Sequence, residues 1–281
     1  MTEAFIPIFY FSGTGNTWWV GNQIAEELQE RGCQAQPISI EQVTDDEAHE
    51  LIEKAAMVGI GYPIYGSDAP LIMQAFIENL PAVTGQKPMF IYVTQAAWSG
   101  DGAYFMRKLI EAKGYQIRWA VHFNMPNNIN ADLGWIITMI LKLFQAKLPH
   151  AAERAAKLAQ HIVDNQPWIM GKSSFLSFGW TQRFFFRKGF DSSHKNIWSV
   201  DAEKCTSCGR CVRLCPVDNI TLVDGLPQFG DQCNICLRCF NYCPELAILA
   251  YKRPYNPQMF GTQPYQGPVS EFKPEMLIEK K

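Results

Sequence analysis

Apolar positions fall into short continuous runs through the first part of the chain, with amphipathic stretches between them. Residues 4–11 form an unbroken apolar run, the signature of a strand buried on both faces of a parallel sheet. A Gly-rich turn follows at 12–17, then helical periodicity to about Arg31, stopped by Gly32. Residues 35–39 read as a short strand, which Pro37 assigns to a sheet edge. The pattern continues with a strand at 55–61, a helix at 70–78, a strand at 89–94, a helix at 103–113, a strand at 116–123 and a helix at 151–164. Five strands alternating with helices predict an α/β doubly wound sheet of five parallel strands. Residues 129–148 interrupt the alternation. Their Trp135–Phe144 stretch is apolar on nearly all sides, which suits either a helix packed against protein or a contact with a partner or membrane surface.

Charge divides the rest. Residues 1–166 hold 11 Lys and Arg against 17 Asp and Glu, net −6, whereas 167–200 hold 5 against 1, net +4. The second segment is also dense in aromatics: Trp168, Phe175, Phe178, Trp180, Phe184, Phe185, Phe186, Phe190 and Trp198. So many large apolar groups are costly to leave in water, so 167–200 is read as a connector lying against a domain surface. Residues 201–253 are balanced, and 254–281 form a Pro-rich tail expected to wrap the surface. The net charge of −2 over 281 residues argues against a nucleic-acid binder. No run approaches the roughly 20 apolar residues of a membrane span, and no secretory leader is visible at the N-terminus; a cytoplasmic protein is the expectation.

Eight of the nine cysteines lie between Cys205 and Cys243 and form a repeat at a 28-residue offset. Cys205, Cys208, Cys211 and Cys215 precede Pro216; Cys233, Cys236, Cys239 and Cys243 precede Pro244. Both copies are C-x2-C-x2-C-x3-C-P, a spacing in which three cysteines hold one [4Fe–4S] cluster and the fourth reaches the other. One set is therefore Cys205, Cys208, Cys211 and Cys243, and the other Cys233, Cys236, Cys239 and Cys215. The alternative, a structural zinc site, usually takes paired C-x2-C ligands. Between the copies, residues 220–223 and 226–229 flank Asp224-Gly225 as a hairpin. Residues 201–253 thus resemble a bacterial two-cluster ferredoxin domain, a small α+β unit that carries one electron per cluster.

The first loop, Ser12, Gly13, Thr14, Gly15, Asn16 and Thr17, joins a strand to a helix. Its glycines admit a phosphate to the backbone, its hydroxyls add donors, and the helix N-terminus adds partial positive charge. It lacks the lysine of a Walker A loop and the spacing of a dinucleotide fingerprint. It resembles the FMN phosphate loop of flavodoxins. Two further loops follow strands, where ligands bind in open α/β sheets. The resemblance implies that Pro63, Ile64, Tyr65 and Gly66 line the flavin ring. It also implies that the loop containing Thr94, Gln95, Ala96, Trp98, Gly100 and Gly102 reaches the pyrimidine end or the other face. A Met-Pro loop at 124–128 is set either to shape the same pocket or to make a plain turn. His49, His122, His150, His161 and His194 show no pairing and are read as non-catalytic, and Cys33 as a structural thiol.

Over residues 1–253 the chain resembles the flavodoxin–ferredoxin fusions of anaerobic prokaryotes. The resemblance implies FMN, two [4Fe–4S] clusters, and electron transfer between a low-potential donor and a redox partner. Two other readings remain open. One is an FMN-dependent reductase of a small planar acidic substrate held by Arg183, Arg187 and Lys188. The other is a subunit of a larger redox complex.

Overall fold

The computed structural model of the protein describes residues 4–96, 98–128, 148–172, 179–185, 197–255 and 264–279. The expected insertion at 129–148, all but its last residue, lies outside them, as do Phe175, Phe178, Phe186, Arg187, Lys188, Phe190 and His194.

The N-terminal strands are β1 (Phe5–Tyr10), β2 (Gln34–Ser39), β3 (Val58–Pro63), β4 (Lys87–Gln95) and β5 (Tyr115–Asn124). All pair in parallel, in the order β2-β1-β3-β4-β5. This is the flavodoxin-like strand order, with its switch point between β1 and β3. Pro37 does sit in the edge strand β2, opposite Ile8. The expected count of five is corrected to six. Trp168 and Ile169, the first residues of the supposed connector, form β6 (Trp168–Ile169) against Trp119 and Ala120 of β5. Large and β-branched side chains suit a half-buried edge, and the Trp119 indole donates to the Gln166 carbonyl at 2.7 Å, holding the chain in place.

Helices α1 (Asn16–Glu30), α2 (Asp45–Lys54), α3 (Leu71–Asn79), α4 (Arg107–Ala112) and α5 (Leu148–Val163) cover both faces. Alternate residues of β4 serve opposite cores: Met89, Ile91 and Val93 pack with Ile52 of α2 and Ile77 of α3, while Phe90 and Tyr92 pack with Ile24 of α1 and Leu158 of α5. Helix α2 was not anticipated. It is started by a reciprocal capping box between Thr44 and Glu47, with Asp45 and Asp46 in its first turn.

The C-terminal region pairs β7 (Trp198–Val200) with β10 (Ile248–Ala250), both antiparallel, and β8 (Ile220–Val223) with β9 (Leu226–Phe229). The latter hairpin turns at Asp224 and Gly225, both at positive φ, as anticipated. Two one-turn helices, α6 (Arg210–Arg213) and α7 (Arg238–Asn241), repeat at the 28-residue offset. The tail does more than wrap the surface. Phe272 and Leu277 are buried in the core beside α1 and α5, and Arg210 pairs with Glu275 at 2.9 Å. Among the described residues no helix is long and apolar enough to cross a membrane.

His122 sits inside the sheet, where its Nε2 accepts a hydrogen bond from the Ala103 N–H at 3.0 Å. Burial, with Arg154 adding to it, lowers its pKa from 6.5 to about 4. The unfolded chain therefore takes up a proton that the folded chain refuses. Stability present above pH 6.5 is lost as pH falls towards 4, by roughly 3 kcal/mol in all. Unfolding midpoints measured from pH 7.5 to 4.5 should fall less steeply in His122→Asn than in the parent; equal slopes would refute the assignment.

Candidate functional site

A cavity of about 490 Å³ opens at the C-terminal ends of β1, β3, β4 and β5. From the first loop, Ser12, Gly13, Thr14, Asn16 and Thr17 line it. Pro63, Ile64, Tyr65 and Gly66 come from the second loop, and Thr94, Gln95 and Ala96 from the third. Gly15, Trp98, Gly100 and Gly102 do not line it. Gly15 is the N-cap of α1, at φ 98, and its N–H donates to Ser12 Oγ at 3.1 Å. Trp98 is 44% exposed. The Gly102 carbonyl accepts from Tyr62 at 3.0 Å, so this glycine shapes the loop from behind.

The cradle fits a phosphate-bearing ligand. Helix α1 has no side-chain cap and no acidic residue in its first turn, so its N–H groups remain directed at the loop. The hydroxyls are held in place: Thr17 bonds Thr94 at 2.8 Å, and Asn128 donates to Thr14 Oγ1 at 2.7 Å. The Met-Pro loop does reach the cavity, with Met125 and Pro126 on its lining. Tyr65 places a buried hydroxyl, without a hydrogen-bond partner among the described residues, beside Gly13. Burial holds that hydroxyl well above the ordinary tyrosine range.

The opposite wall was not legible beforehand. Ile197, Trp198, Ile235, Leu237, Ala250 and Tyr251 close the cavity from the cysteine-rich region. Ile235 and Leu237 flank Cys236 and hold φ values of 50° and 67°. Their counterparts in the first copy are Ser207 and Gly209, at 59° and 69°. A β-branched residue in the left-handed region is strained. The second copy accepts that cost with apolar side chains that form the cavity wall.

The eight clustered cysteines fall into two groups. Cys205, Cys208, Cys211 and Cys243 line one small cavity; Cys215, Cys233, Cys236 and Cys239 line another. These are the two cross-linked sets that the spacing implies. Among the described residues no three His, Cys, Asp or Glu side chains come close enough to share a single metal ion. A cube of iron and sulfide would occupy the space between the four sulfurs of a set. The donors fit such a group. Backbone N–H groups of Asn219, Ile235 and Ala247 point at the sulfurs of Cys215, Cys233 and Cys243, each at 3.3 Å. Burial pushes the Cys236 thiol up to about 12.

Arg238 joins the two regions. Its guanidinium is 0% exposed and spends every donor. It donates to the Gly13 carbonyl at 3.0 Å, the Ser12 carbonyl at 2.7 Å and the Leu214 carbonyl at 3.2 Å. It also grips both oxygens of Glu41, at 2.7 and 2.5 Å. Burial alone would favour the neutral form, but Glu41 outweighs it and the charge is retained. The phosphate-type loop and the second cysteine loop are thus tied to one ion pair. Arg183 is likewise committed elsewhere: it donates to the Ser67 carbonyl and Asp101, both at 2.8 Å, and lies over the Phe105 ring. Of the three residues expected to hold an acidic substrate, Arg183 does not line the cavity, and Arg187 and Lys188 lie outside the described residues. Cys33 packs, partly buried, against the α1 side of the sheet.

Residues 198–221 match the model of the 4Fe-4S binding domain. A C-terminal 4Fe–4S binding domain thus follows a flavodoxin-like sheet, the make-up of an iron–sulfur electron-transfer or oxidoreductase protein. A search of curated proteins finds no match. Among solved structures the chain is similar to rubredoxin oxygen:oxidoreductase from Desulfovibrio gigas, at 16% identity and TM-score 0.45 over 58% of this chain and 36% of that one. It therefore spans little more than a third of that protein. Similar too are Megasphaera elsdenii flavodoxin, at 20% identity and TM-score 0.40 over 55% of this chain and 98% of that one, and a flavodoxin from the domain Archaea, at 19% and 0.37 over 56% and 99%.

Proposed function

We propose that this chain is a flavodoxin–ferredoxin fusion, an electron-transfer protein holding FMN and two [4Fe–4S] clusters for a partner redox enzyme. Its parts are an FMN domain reaching to β6 at Trp168–Ile169, a connector from there to β7, a two-cluster domain from Trp198 to about residue 253 and a tail at 254–281. Bound FMN takes one or two electrons and each cluster takes one, so the combination couples one- and two-electron chemistry. The observation that carries this reading is the shared wall. The cavity framed by the three loops is closed by Trp198, Ile235 and Leu237, beside the inner cysteine set.

The chain's own residues divide the work. Ser12, Thr14 and Thr17 offer hydroxyls, and the start of α1 offers N–H groups, to the FMN phosphate. Pro63, Ile64 and Tyr65 supply an apolar bed for the ring, and the wall opposite excludes water from it. Cys208 of the outer set is exposed, and Leu222, which lines the same small cavity, is 43% exposed. A low-potential protein donor docking there would meet the outer set first, while Cys236 of the inner set is buried against the flavin loops.

The test is an anaerobic visible spectrum with iron and flavin quantification. About eight irons and one FMN per chain are expected, four irons to each cysteine set. Eight irons with no flavin, even after FMN is added, would remove the flavin assignment. Zinc in place of iron would remove the redox reading.

A further inference from the structure

Trp198 belongs to two sites at once. It lines the large cavity at the ends of the sheet and the smaller cavity of the inner cysteine set. It is 6% exposed, fixed by β7 pairing opposite Ala250 and by the Phe240 ring at 5.7 Å. Its indole Nε1–H donates to Cys233 Sγ at 3.2 Å. Cys233 also accepts the backbone N–H of Ile235, so it receives two donors, one of them removable by substitution. In the outer set the donors to sulfur that the structure describes are backbone groups, among them the Ala247 N–H on Cys243 and the Val212 N–H on Cys211.

We propose that Trp198 is a positioning residue with two separable duties: its N–H sets the potential of the inner cluster, and its ring forms part of the flavin's wall. The inference rests on the reading of FMN and two clusters given above. The sign follows from charge. Reduction adds negative charge, which a hydrogen bond to the ligand sulfur stabilises. Removing the donor makes reduction harder, so the inner cluster's midpoint becomes more negative. Only the part of this bond gained on reduction moves the midpoint, and a tenfold gain corresponds to about 59 mV for one electron.

The experiment is an EPR-monitored redox titration of the loaded full-length protein, parallel with FMN affinity. Signals are assigned with Cys208→Ser, which alters the outer set. Trp198→Phe keeps a ring and loses the N–H. The expected result is a shift of about 59 mV to more negative potential for the inner cluster alone, with a smaller loss of FMN affinity than in Trp198→Ala. Trp198→Ala should add a loss of FMN affinity of roughly tenfold or more, because the wall is opened. An unchanged inner midpoint in Trp198→Phe, or equal shifts in both clusters, overturns the proposal while iron and flavin contents leave the underlying reading intact. Parent protein without the expected iron and flavin overturns both. If Trp198→Phe fails to assemble its clusters, parent protein labelled with indole-¹⁵N tryptophan decides. A resolved ¹⁵N hyperfine coupling to the reduced inner cluster supports the proposal, and its absence overturns it.

Discussion

Replacing Arg238 by methionine is expected to destabilise the folded protein by about 3–5 kcal/mol, the usual result of leaving one partner of a buried ion pair uncompensated. The partner is Glu41, whose side chain is 6% exposed and which takes two hydrogen bonds from the guanidinium. Three main-chain carbonyls, at Ser12, Gly13 and Leu214, lose their donor in the same step. Chemical unfolding under anaerobic conditions measures the loss. The double variant Glu41→Gln with Arg238→Met should recover a substantial part of it, since the stranded charge is gone. A loss below about 1 kcal/mol for the single variant would mean that the pair is not buried as described.

Adding one methyl group at Gly13 should have the largest effect on ligand binding. A Cβ at this position would lie 2.5 Å from the Cys236 carbonyl oxygen and 2.8 Å from the Tyr65 hydroxyl. The first is backbone and cannot swing aside, so either the phosphate-type loop or the cysteine loop must retreat. Overpacking of this kind costs about 1–3 kcal/mol. Gly13→Ala should therefore bind FMN roughly 10- to 100-fold more weakly, as followed by quenching of flavin fluorescence, where 1.4 kcal/mol is tenfold. Unchanged affinity would show that the two loops do not meet.

The parts that were legible in the sequence share a cause: each is determined within a short window. Residues 4–11 and 89–94 announce buried strands because every residue of a doubly covered strand is apolar. The cysteine sets follow from spacing alone, and the structure brings the same eight residues into the same two groups. Helix α2 was also written locally, in Thr44 and Glu47, but its mean polarity concealed it beside stronger signals. Trp168 looked like connector because a two-residue edge strand is too short to show alternation. The far wall of the cavity is a different matter. Ile235 and Leu237 read as ordinary spacers between cysteines, and only the approach of a distant loop gives them a role. Arg238, at the position equivalent to Arg210, carries no mark that one is sealed in the interior and the other is only partly buried against the tail.

The placement of Phe272 and Leu277 has a consequence for how the protein comes into being. Both complete a core built around α1, whose residues leave the ribosome some 250 positions earlier. The sheet can pair during synthesis, but its face beside α1 and α5 stays open until residues 272–277 emerge. Contacts of such long separation slow the final step of folding. A chain halted anywhere in the cysteine repeat lacks both residues, exposes the unfinished core and is a natural substrate for quality control.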